Sequence, residues 1–201
     1  MSIRVTIVGA SGYTGGEMLR LLINHPEIEI SQAISRTYAG QPIHRVHPHL
    51  RGSNLSTFED LEALTSADLI ILSQPHGVAQ NNMDHYEQLA AHIIDLSSDF
   101  RLRSASDYEY WYGKKHASPA WLPHFVYGLP ETQRDTIRNA HHISGVGCNA
   151  AATILALLPL VRNGLLAPGR PVIAEIKTGS SEGGAKSNLG SHHPVRSGIA
   201  R

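Results

Sequence analysis

The stretch IRVTIVGASGYTGGEMLRLLIN, residues 3–24, decides the fold of this chain. It opens on Ile3 to Val8, a mostly apolar run of the length expected for a buried strand. A glycine-rich turn follows, and Gly16 to Asn24 then carries apolar residues at helical spacing until Pro26 ends the pattern. A strand that leads through a short turn into a helix is the repeating unit of α/β proteins, and we expect that class here.

The apolar runs beyond residue 26 continue the alternation of strands and helices. We predict further strands at residues 28–35, 67–72, 92–96, 141–146 and 171–178, and further helices at 58–64, 78–91 and 149–163. Ser56 or Thr57 is expected to cap the 58–64 helix. Residues 100–130, rich in aromatic residues, glycine and proline, predict long irregular loops. Short apolar strands that alternate with helices predict a doubly wound parallel sheet.

The glycine-rich turn is a candidate nucleotide site. Its glycines follow a Gly-x-x-Gly-x-x-Gly spacing between strand and helix, which is the context that a dinucleotide fingerprint requires. Glycines let the backbone approach a pyrophosphate, and the last one lets the helix pack against the strand. An ordinary tight turn is the alternative. The residues predicted to bind the cofactor here are Gly9, Ser11, Gly12, Tyr13, Thr14 and Gly15.

The end of the second predicted strand indicates which dinucleotide binds. A ribose 2′-hydroxyl favours a carboxylate at this place, whereas a 2′-phosphate favours a cation. The chain has Ser35 and Arg36 here, followed by Thr37, with no acidic residue beside them. Arg36 can form charge-assisted hydrogen bonds to a phosphate; the alternative is a solvated surface charge. We therefore predict NADP(H) rather than NAD(H), bound in part by Ser35 and Arg36.

The only cysteine, Cys148, lies where the strand predicted at 141–146 leads into the helix predicted from residue 149. Unpaired N–H groups and the positive end of the helix dipole at such a position favour a thiolate over a thiol. That is a typical environment of a sulfur nucleophile. The alternative is that this free cysteine is a small buried hydrophobic residue. A thiolate and a nicotinamide in one α/β chain predict acyl or aldehyde chemistry.

Composition argues against several other functions. Acidic and basic residues balance at 17 each, so charge gives no reason to expect a nucleic-acid or membrane partner. No apolar stretch approaches membrane-spanning length, and a single cysteine suits a reducing compartment, so we expect a cytoplasmic protein. The 13 histidines lack metal-ligand spacing and are interpreted as surface or loop residues, so no metal site is predicted.

Four segments together resemble the N-acetyl-γ-glutamyl-phosphate reductase family, whose relatives include aspartate-semialdehyde dehydrogenase. They are GASGYTG at residues 9–15, DLSSDFR at 95–101, YGLPE at 127–131 and GCNA at 147–150. They occur in the family's order and span nearly the whole chain. The resemblance implies an NADP-binding Rossmann domain at residues 1–147, followed by the start of an α+β catalytic and dimerisation domain at 148–201. It also implies a homo-oligomer.

Within that family, GCNA in place of GCYP resembles the branch that works in carrier-protein-dependent lysine biosynthesis. The segments PHG at residues 75–77, SSEGGA at 180–185 and SHHP at 191–194 resemble that branch as well. The implied substrate is 2-aminoadipyl phosphate held by a small acidic amino-group carrier protein, and in some archaea also carrier-bound glutamyl phosphate for arginine. N-acetylglutamyl phosphate is the alternative substrate.

The resemblance also implies roles for individual residues. Cys148 attacks the acyl phosphate and carries the thioester, while Asn149 and nearby helix N–H groups stabilise the oxyanion. The residues implied at the substrate are Ser98, Arg101, Glu131, His192 and His193, and those at the cofactor are Gln74, Pro75, Ser181 and Gly183. The alternatives are an interdomain salt bridge for Arg101, a loop carboxylate for Glu131 and a flexible turn for residues 180–184.

In family members the general acid/base is a histidine in a His-Arg-His-like segment, downstream of the position that matches Arg201, and this sequence has no such segment. We therefore expect a C-terminally truncated chain. Two hypotheses follow: the chain is the N-terminal part of a working reductase, or it binds NADPH without turning substrate over. His192 and His193 match different segments, so neither is expected to replace the missing base.

Overall fold

A computed structural model describes residues 2–167 and 169–185 of the chain. The chain divides into two compact units, residues 1–145 and 146–201. The described part of the first unit contains a parallel sheet with helices. The described part of the second contains a long helix and a short 3-10 turn.

Six parallel strands form the sheet in the described part of the first unit. They are β1 (Ile3–Val8), β2 (Ile28–Ile34), β3 (Ala67–Leu72), β4 (Ala90–Asp95), β5 (Phe125–Gly128) and β6 (His142–Gly145). Their spatial order is β2-β1-β3-β4-β6-β5, and each pair of neighbours is parallel. The chain therefore builds outward from β1 to β2 and then restarts on the other side of β1 with β3.

Five α-helices lie between these strands in the described part of the first unit. They are α1 (Tyr13–Leu22), α2 (Ile43–Val46), α3 (Met83–Leu89), α4 (Ala105–Tyr112) and α5 (Pro130–Arg138). The helix predicted at 78–91 is shorter than expected, because a 3-10 turn at Ala79–Asn81 precedes α3 and β4 already begins at Ala90.

Side chains of the central strands alternate between two hydrophobic clusters. Val5 and Ile7 of β1 belong to one cluster with Leu19 of α1. Val8 belongs to the other, together with Tyr86 of α3. Because successive side chains of a strand point to opposite faces, both faces of the sheet are covered. The predicted doubly wound parallel sheet is confirmed.

The helix predicted at 58–64 is wrong. Glu59 pairs with the outer edge of β2, where its N–H donates to the Ala33 carbonyl (3.0 Å) and its carbonyl accepts from the Ser35 N–H (2.9 Å). Those backbone bonds hold the segment extended and bury Phe58. Only a 3-10 turn at Leu61–Ala63 remains, and Asp60 caps it instead of the predicted residues.

Residues 100–130 contain more regular structure than the predicted loops. Ser104 caps α4 by accepting a hydrogen bond from the Asp107 N–H (3.0 Å). A 3-10 turn at Pro119–His124 then leads into β5. β5 is a strand because it pairs with β6, a long-range contact that local composition does not encode.

The second unit contains α6 (Cys148–Arg162) and a 3-10 turn at Ser180–Gly183 among its described residues. The strand predicted at 171–178 is wrong, since these residues have no regular secondary structure. Ile173 is 94% exposed. Among the described residues no neighbouring strand pairs with this segment, and an apolar run without a partner cannot satisfy its backbone groups as a strand.

Candidate active site

The glycine turn touches the end of β3 through backbone atoms. Gly9 has φ +87°, and a Cβ built on it would lie 2.1 Å from the Ser73 carbonyl oxygen. A Cβ on Gly15 would lie 2.4 Å from the Gly9 carbonyl oxygen. Glycine is therefore required at both positions, first for the turn itself and then for the close approach of α1.

This turn lies where parallel α/β sheets bind ligands. The strand order reverses between β1 and β3, and the turn follows the carboxyl end of β1. Gly12 occupies the N-cap of α1 without a side-chain capping bond, and the first turn of the helix has no acidic residue. The first N–H groups of α1 are therefore suited to an anion such as a pyrophosphate. The exposed Tyr13 and Thr14 begin this helix.

Hydroxyl groups connect the turn to the end of β2. The buried Ser35 donates from its Oγ to the Ser11 Oγ (2.8 Å) and accepts from the Tyr38 N–H (3.2 Å). Arg36, the next residue, is exposed. No ion pair among the described residues involves it. The structure thus brings Ser11 and Ser35 together, with a cation beside them.

His47 supports the glycine turn and was missed by the sequence analysis. Its Nε2–H donates to the Ala10 carbonyl oxygen (2.8 Å), in the middle of the turn. A Cβ on Gly16 would lie 2.3 Å from the imidazole ring, so the glycine makes room for the histidine. His47 lies in a loop, as predicted, but it is only 5% exposed and so is not a surface residue. His116 and His142 are buried too, and His142 lies in β6 rather than in a loop.

This buried imidazole predicts a pH effect on stability. Burial lowers the pKa of His47 below its ordinary value of 6.5. As the pH falls through 6.5, the unfolded chain binds a proton that the folded chain does not, so the free energy of unfolding decreases. When the pH is lowered from 7.5 to about 5.5, the melting temperature of His47→Gln should therefore fall less than that of the wild type.

The exposed His85 of α3 supplies the control for that experiment. His85→Gln should retain the full wild-type loss of melting temperature on acidification. An equal loss in both variants and the wild type would contradict the assignment to His47.

The segments that follow β3 and β4 are tied together by side chains. Asp99 accepts from the N–H groups of Gly77 (2.6 Å) and Gln80 (3.0 Å). His76 Nδ1 accepts from the Ser98 N–H (2.9 Å). Gln74 Oε1 accepts a hydrogen bond from the Tyr86 hydroxyl (3.0 Å). Of the other two residues predicted for the site here, Pro75 is exposed and Ser98 is buried.

Arg101 connects the ends of two strands. Its Nε donates to the carbonyl oxygen of Gly145, the last residue of β6 (2.8 Å). Its Nη2 donates to the carbonyl oxygen of Leu96, which directly follows β4 (2.9 Å).

Asp95, the last residue of β4, is fully buried, and this burial raises the pKa of its carboxyl to about 6 despite hydrogen bonds from Ser97.

The thiol belongs to the second unit. Cys148 is the first residue of α6, and Gly147 is its N-cap. The side chain is exposed, so it is not a core residue. Its Sγ lies 3.8 Å from Asn149 Oδ1 and 4.0 Å from Glu182 Oε1. Asn149 Nδ2 also donates to Glu182 Oε1 (3.0 Å).

The remaining predicted site residues have simpler surroundings. Glu131 is exposed in the first turn of α5. Ser181 and Gly183 belong to the exposed 3-10 turn that carries Glu182. His192 and His193 lie outside the described residues.

Among residues 2–167 and 169–185, no group of three histidine, cysteine, aspartate or glutamate side chains is arranged to hold a metal ion. None of the helices described is long and apolar enough to cross a membrane.

Two family models match this chain. Residues 4–140 match the semialdehyde dehydrogenase NAD binding domain. Residues 148–201 match the semialdehyde dehydrogenase dimerisation domain. The matched segments follow one another along the chain without overlap.

Curated relatives of similar sequence agree with that result. The Sulfurisphaera tokodaii LysW-L-2-aminoadipate/LysW-L-glutamate phosphate reductase is 47% identical over 99% of this chain and 58% of its own length. The Saccharolobus solfataricus protein of the same name is 46% identical over 99% of this chain and 57% of its own length. The chain thus spans little more than half the length of these relatives.

A Vibrio cholerae aspartate semialdehyde dehydrogenase II, crystallised as a complex with ASA, shares the fold with a TM-score of 0.58. It is 16% identical, and the alignment covers 81% of this chain and 47% of that one. The sheet, the glycine turn and both family models lead to one conclusion. The chain belongs to the semialdehyde dehydrogenase family.

Proposed function

We propose that the chain carries the nucleophile and the cofactor turn of an NADPH-dependent reductase that converts an acyl phosphate to a semialdehyde. In this proposal residues 1–147 form the NADP-binding domain and residues 148–201 begin the catalytic domain. The observation that carries it is the exposed Cys148 thiol at the first residue of α6, in a chain whose first unit has a glycine turn suited to a dinucleotide.

The proposed chemistry begins at the sulfur. Cys148 attacks the acyl carbon, phosphate leaves, and a thioester forms on the enzyme. Asn149 and the N–H groups at the start of α6 are suited to the oxyanion that develops during the attack. A bound nicotinamide supplies the hydride that reduces the thioester to the aldehyde. The residues proposed to hold this cofactor are Gly9, Ser11, Gly12, Tyr13, Thr14, Gly15, Ser35, Arg36, Gln74, Pro75, Ser181 and Gly183.

The proposed substrate is 2-aminoadipyl phosphate on an amino-group carrier protein, with carrier-linked glutamyl phosphate as a second substrate. The names of the relatives at 46% and 47% identity support this choice. It places the chain in lysine biosynthesis, and in arginine biosynthesis where the glutamyl substrate is used. The residues proposed to act at the substrate are Ser98, Arg101, Glu131, His192 and His193.

A comparison of substrates tests this proposal. NADPH oxidation is measured with carrier-linked aminoadipyl phosphate and with N-acetylglutamyl phosphate. The carrier-linked substrate should have a kcat/KM higher by about tenfold or more, since a pocket shaped for one acyl chain discriminates by about that factor per methylene. A preference for N-acetylglutamyl phosphate would favour a reductase of arginine biosynthesis instead. NADPH binding without turnover of either would mean that these 201 residues bind the cofactor only.

The preference for NADP(H) over NAD(H) rests on Arg36. Its exposed side chain follows β2, and the hydroxyl of Ser35 beside it is already connected to the turn through Ser11. Arg36→Ala should weaken NADPH binding about 10- to 100-fold, because it removes charge-assisted hydrogen bonds to the 2′-phosphate. Fluorescence titration should show no change for NADH.

Arg45→Ala removes an equally exposed cation from α2 and is the matched control. It should leave the NADPH dissociation constant unchanged. An Arg36→Ala variant that still prefers NADPH would contradict the assignment.

We further propose a homo-oligomer, because residues 148–201 match a model described as a dimerisation domain. A reductase of amino-acid biosynthesis with one free cysteine fits a cytoplasmic location. Sedimentation of the purified protein measures the oligomeric state directly.

A further inference from the structure

Glu182 lies beside the thiol without having been identified as a site residue by the sequence pattern. It belongs to the 3-10 turn at Ser180–Gly183, and its Oε1 is 4.0 Å from Cys148 Sγ. The same oxygen accepts a hydrogen bond from Asn149 Nδ2 at 3.0 Å. One carboxylate oxygen therefore contacts both the nucleophile and the residue next to it.

The carboxylate determines the orientation of the Asn149 side chain. An ionised carboxylate only accepts hydrogen bonds, so the NH₂ group of Asn149 has to face Glu182. The amide oxygen then points the other way, and it lies 3.8 Å from Cys148 Sγ as an acceptor for the thiol hydrogen. Asn149 thus uses one of its two amide N–H groups on Glu182, and the second can still donate to an oxyanion.

The charge of Glu182 acts on the sulfur as well. Among the described residues, it is the charged side chain that contacts Cys148 Sγ. A negative charge about 4 Å away attracts a thiol hydrogen and repels a thiolate. It therefore opposes the influence of the helix N-terminus, which favours the anion.

We propose that Glu182 is a positioning residue for the Cys148 nucleophile. Together with Asn149, Glu182 holds the thiol hydrogen and opposes its loss as long as the carboxylate of the 180–183 turn contacts the sulfur. This rests on the proposed role of Cys148. When the carboxylate moves away, the S–H bond breaks and the proton passes to solvent. The S–C bond to the acyl group then forms and the C–O bond to phosphate breaks. An incoming acyl phosphate, itself an anion, favours that movement by repelling the carboxylate.

Alkylation of Cys148 by iodoacetamide tests the proposal without cofactor or substrate. Rates are measured across a pH series at low salt for the wild type and Glu182→Gln, which keeps the shape of the side chain and removes its charge. The variant should react about fivefold faster than the wild type at neutral pH. Its alkylation rate should also begin to rise at a lower pH than that of the wild type. The difference should shrink in about 1 M salt, where charges are screened within about 3 Å.

Glu175→Gln is the matched control, since Glu175 is an exposed carboxylate of the same unit that pairs with Lys177. It should alkylate like the wild type. Glu182→Ala should react faster as Glu182→Gln does, which guards against an effect peculiar to the glutamine. A Glu182→Gln profile that coincides with that of the wild type, or an equal shift in Glu175→Gln, would overturn the proposal.

The outcome is separable from the proposed function. If Cys148→Ser retained turnover, the thioester chemistry would fail while the alkylation result stood. If turnover depended on Cys148 but Glu182→Gln left the alkylation profile unchanged, only the role of Glu182 would fail.

Discussion

Replacing Cys148 with serine is expected to lower acyl-phosphate reduction by about three orders of magnitude or more. A serine hydroxyl is not ionised near neutral pH and is a much weaker nucleophile than a thiolate, so the covalent step is lost. The measurement is NADPH oxidation with carrier-linked aminoadipyl phosphate. NADPH binding should persist, because the substitution removes no group assigned to the cofactor.

Cys148→Ala should behave like the serine variant, since neither residue forms a thioester. Retention of more than about one tenth of the wild-type rate by either variant would contradict covalent catalysis at this position. Circular dichroism of both variants checks that α6 still forms.

Gly9→Ala is the second substitution with a large expected effect. A side chain at φ +87° is strained, and its Cβ would lie 2.1 Å from the Ser73 carbonyl oxygen. The strain costs about 1–2 kcal/mol and the displacement of packed backbone about as much again, so we expect a loss near 3 kcal/mol. That corresponds to a melting temperature lower by about 6–12 °C and to loss of NADPH binding.

Gly113→Ala separates the two causes of this effect. Gly113 also has a positive φ (+67°), but a Cβ there would meet nothing within 4 Å. It should therefore cost only the backbone strain, about 1–2 kcal/mol, and leave NADPH binding intact. If Gly9→Ala destabilised no more than Gly113→Ala and still bound NADPH, the close approach between the turn and β3 would be unimportant.

The parts of the fold that were predictable are those encoded by neighbouring residues. β1, the glycine turn and α1 follow one another within 20 residues, and the apolar run of β1 is bounded by Gly9, whose conformation only glycine adopts easily. β3 has the same kind of mostly apolar run, which is typical of a strand covered on both faces. Its predicted bounds, residues 67–72, are confirmed.

The parts that were missed depend on distant residues. β5 is a strand because it pairs with β6, and the 58–64 helix fails because Glu59 bonds to β2. The segment at 171–178 has the composition of a strand but no partner strand in the described structure. In each case tertiary pairing outweighs local propensity.

The candidate site divides in the same way. The turn and the thiol were predictable because a helix that begins directly after a strand presents its N-terminus at a known place. His47 was not, because its burial depends on the absence of a side chain at Gly16, far away in sequence. Glu182 was not, because only the folded second unit brings it to Cys148. Neighbouring residues in the sequence do not indicate that a loop histidine will contact the glycine turn or that a loop glutamate will contact the thiol.

The measurement that tests the central claim most directly is the intact mass of the protein after incubation with carrier-linked aminoadipyl phosphate in the absence of NADPH. The account predicts a covalent adduct of the carrier-linked acyl group, mapped by digestion to Cys148, which disappears when NADPH is added and semialdehyde is released. Semialdehyde production with no acyl adduct on Cys148, or an adduct on another residue that NADPH discharges equally well, would contradict it.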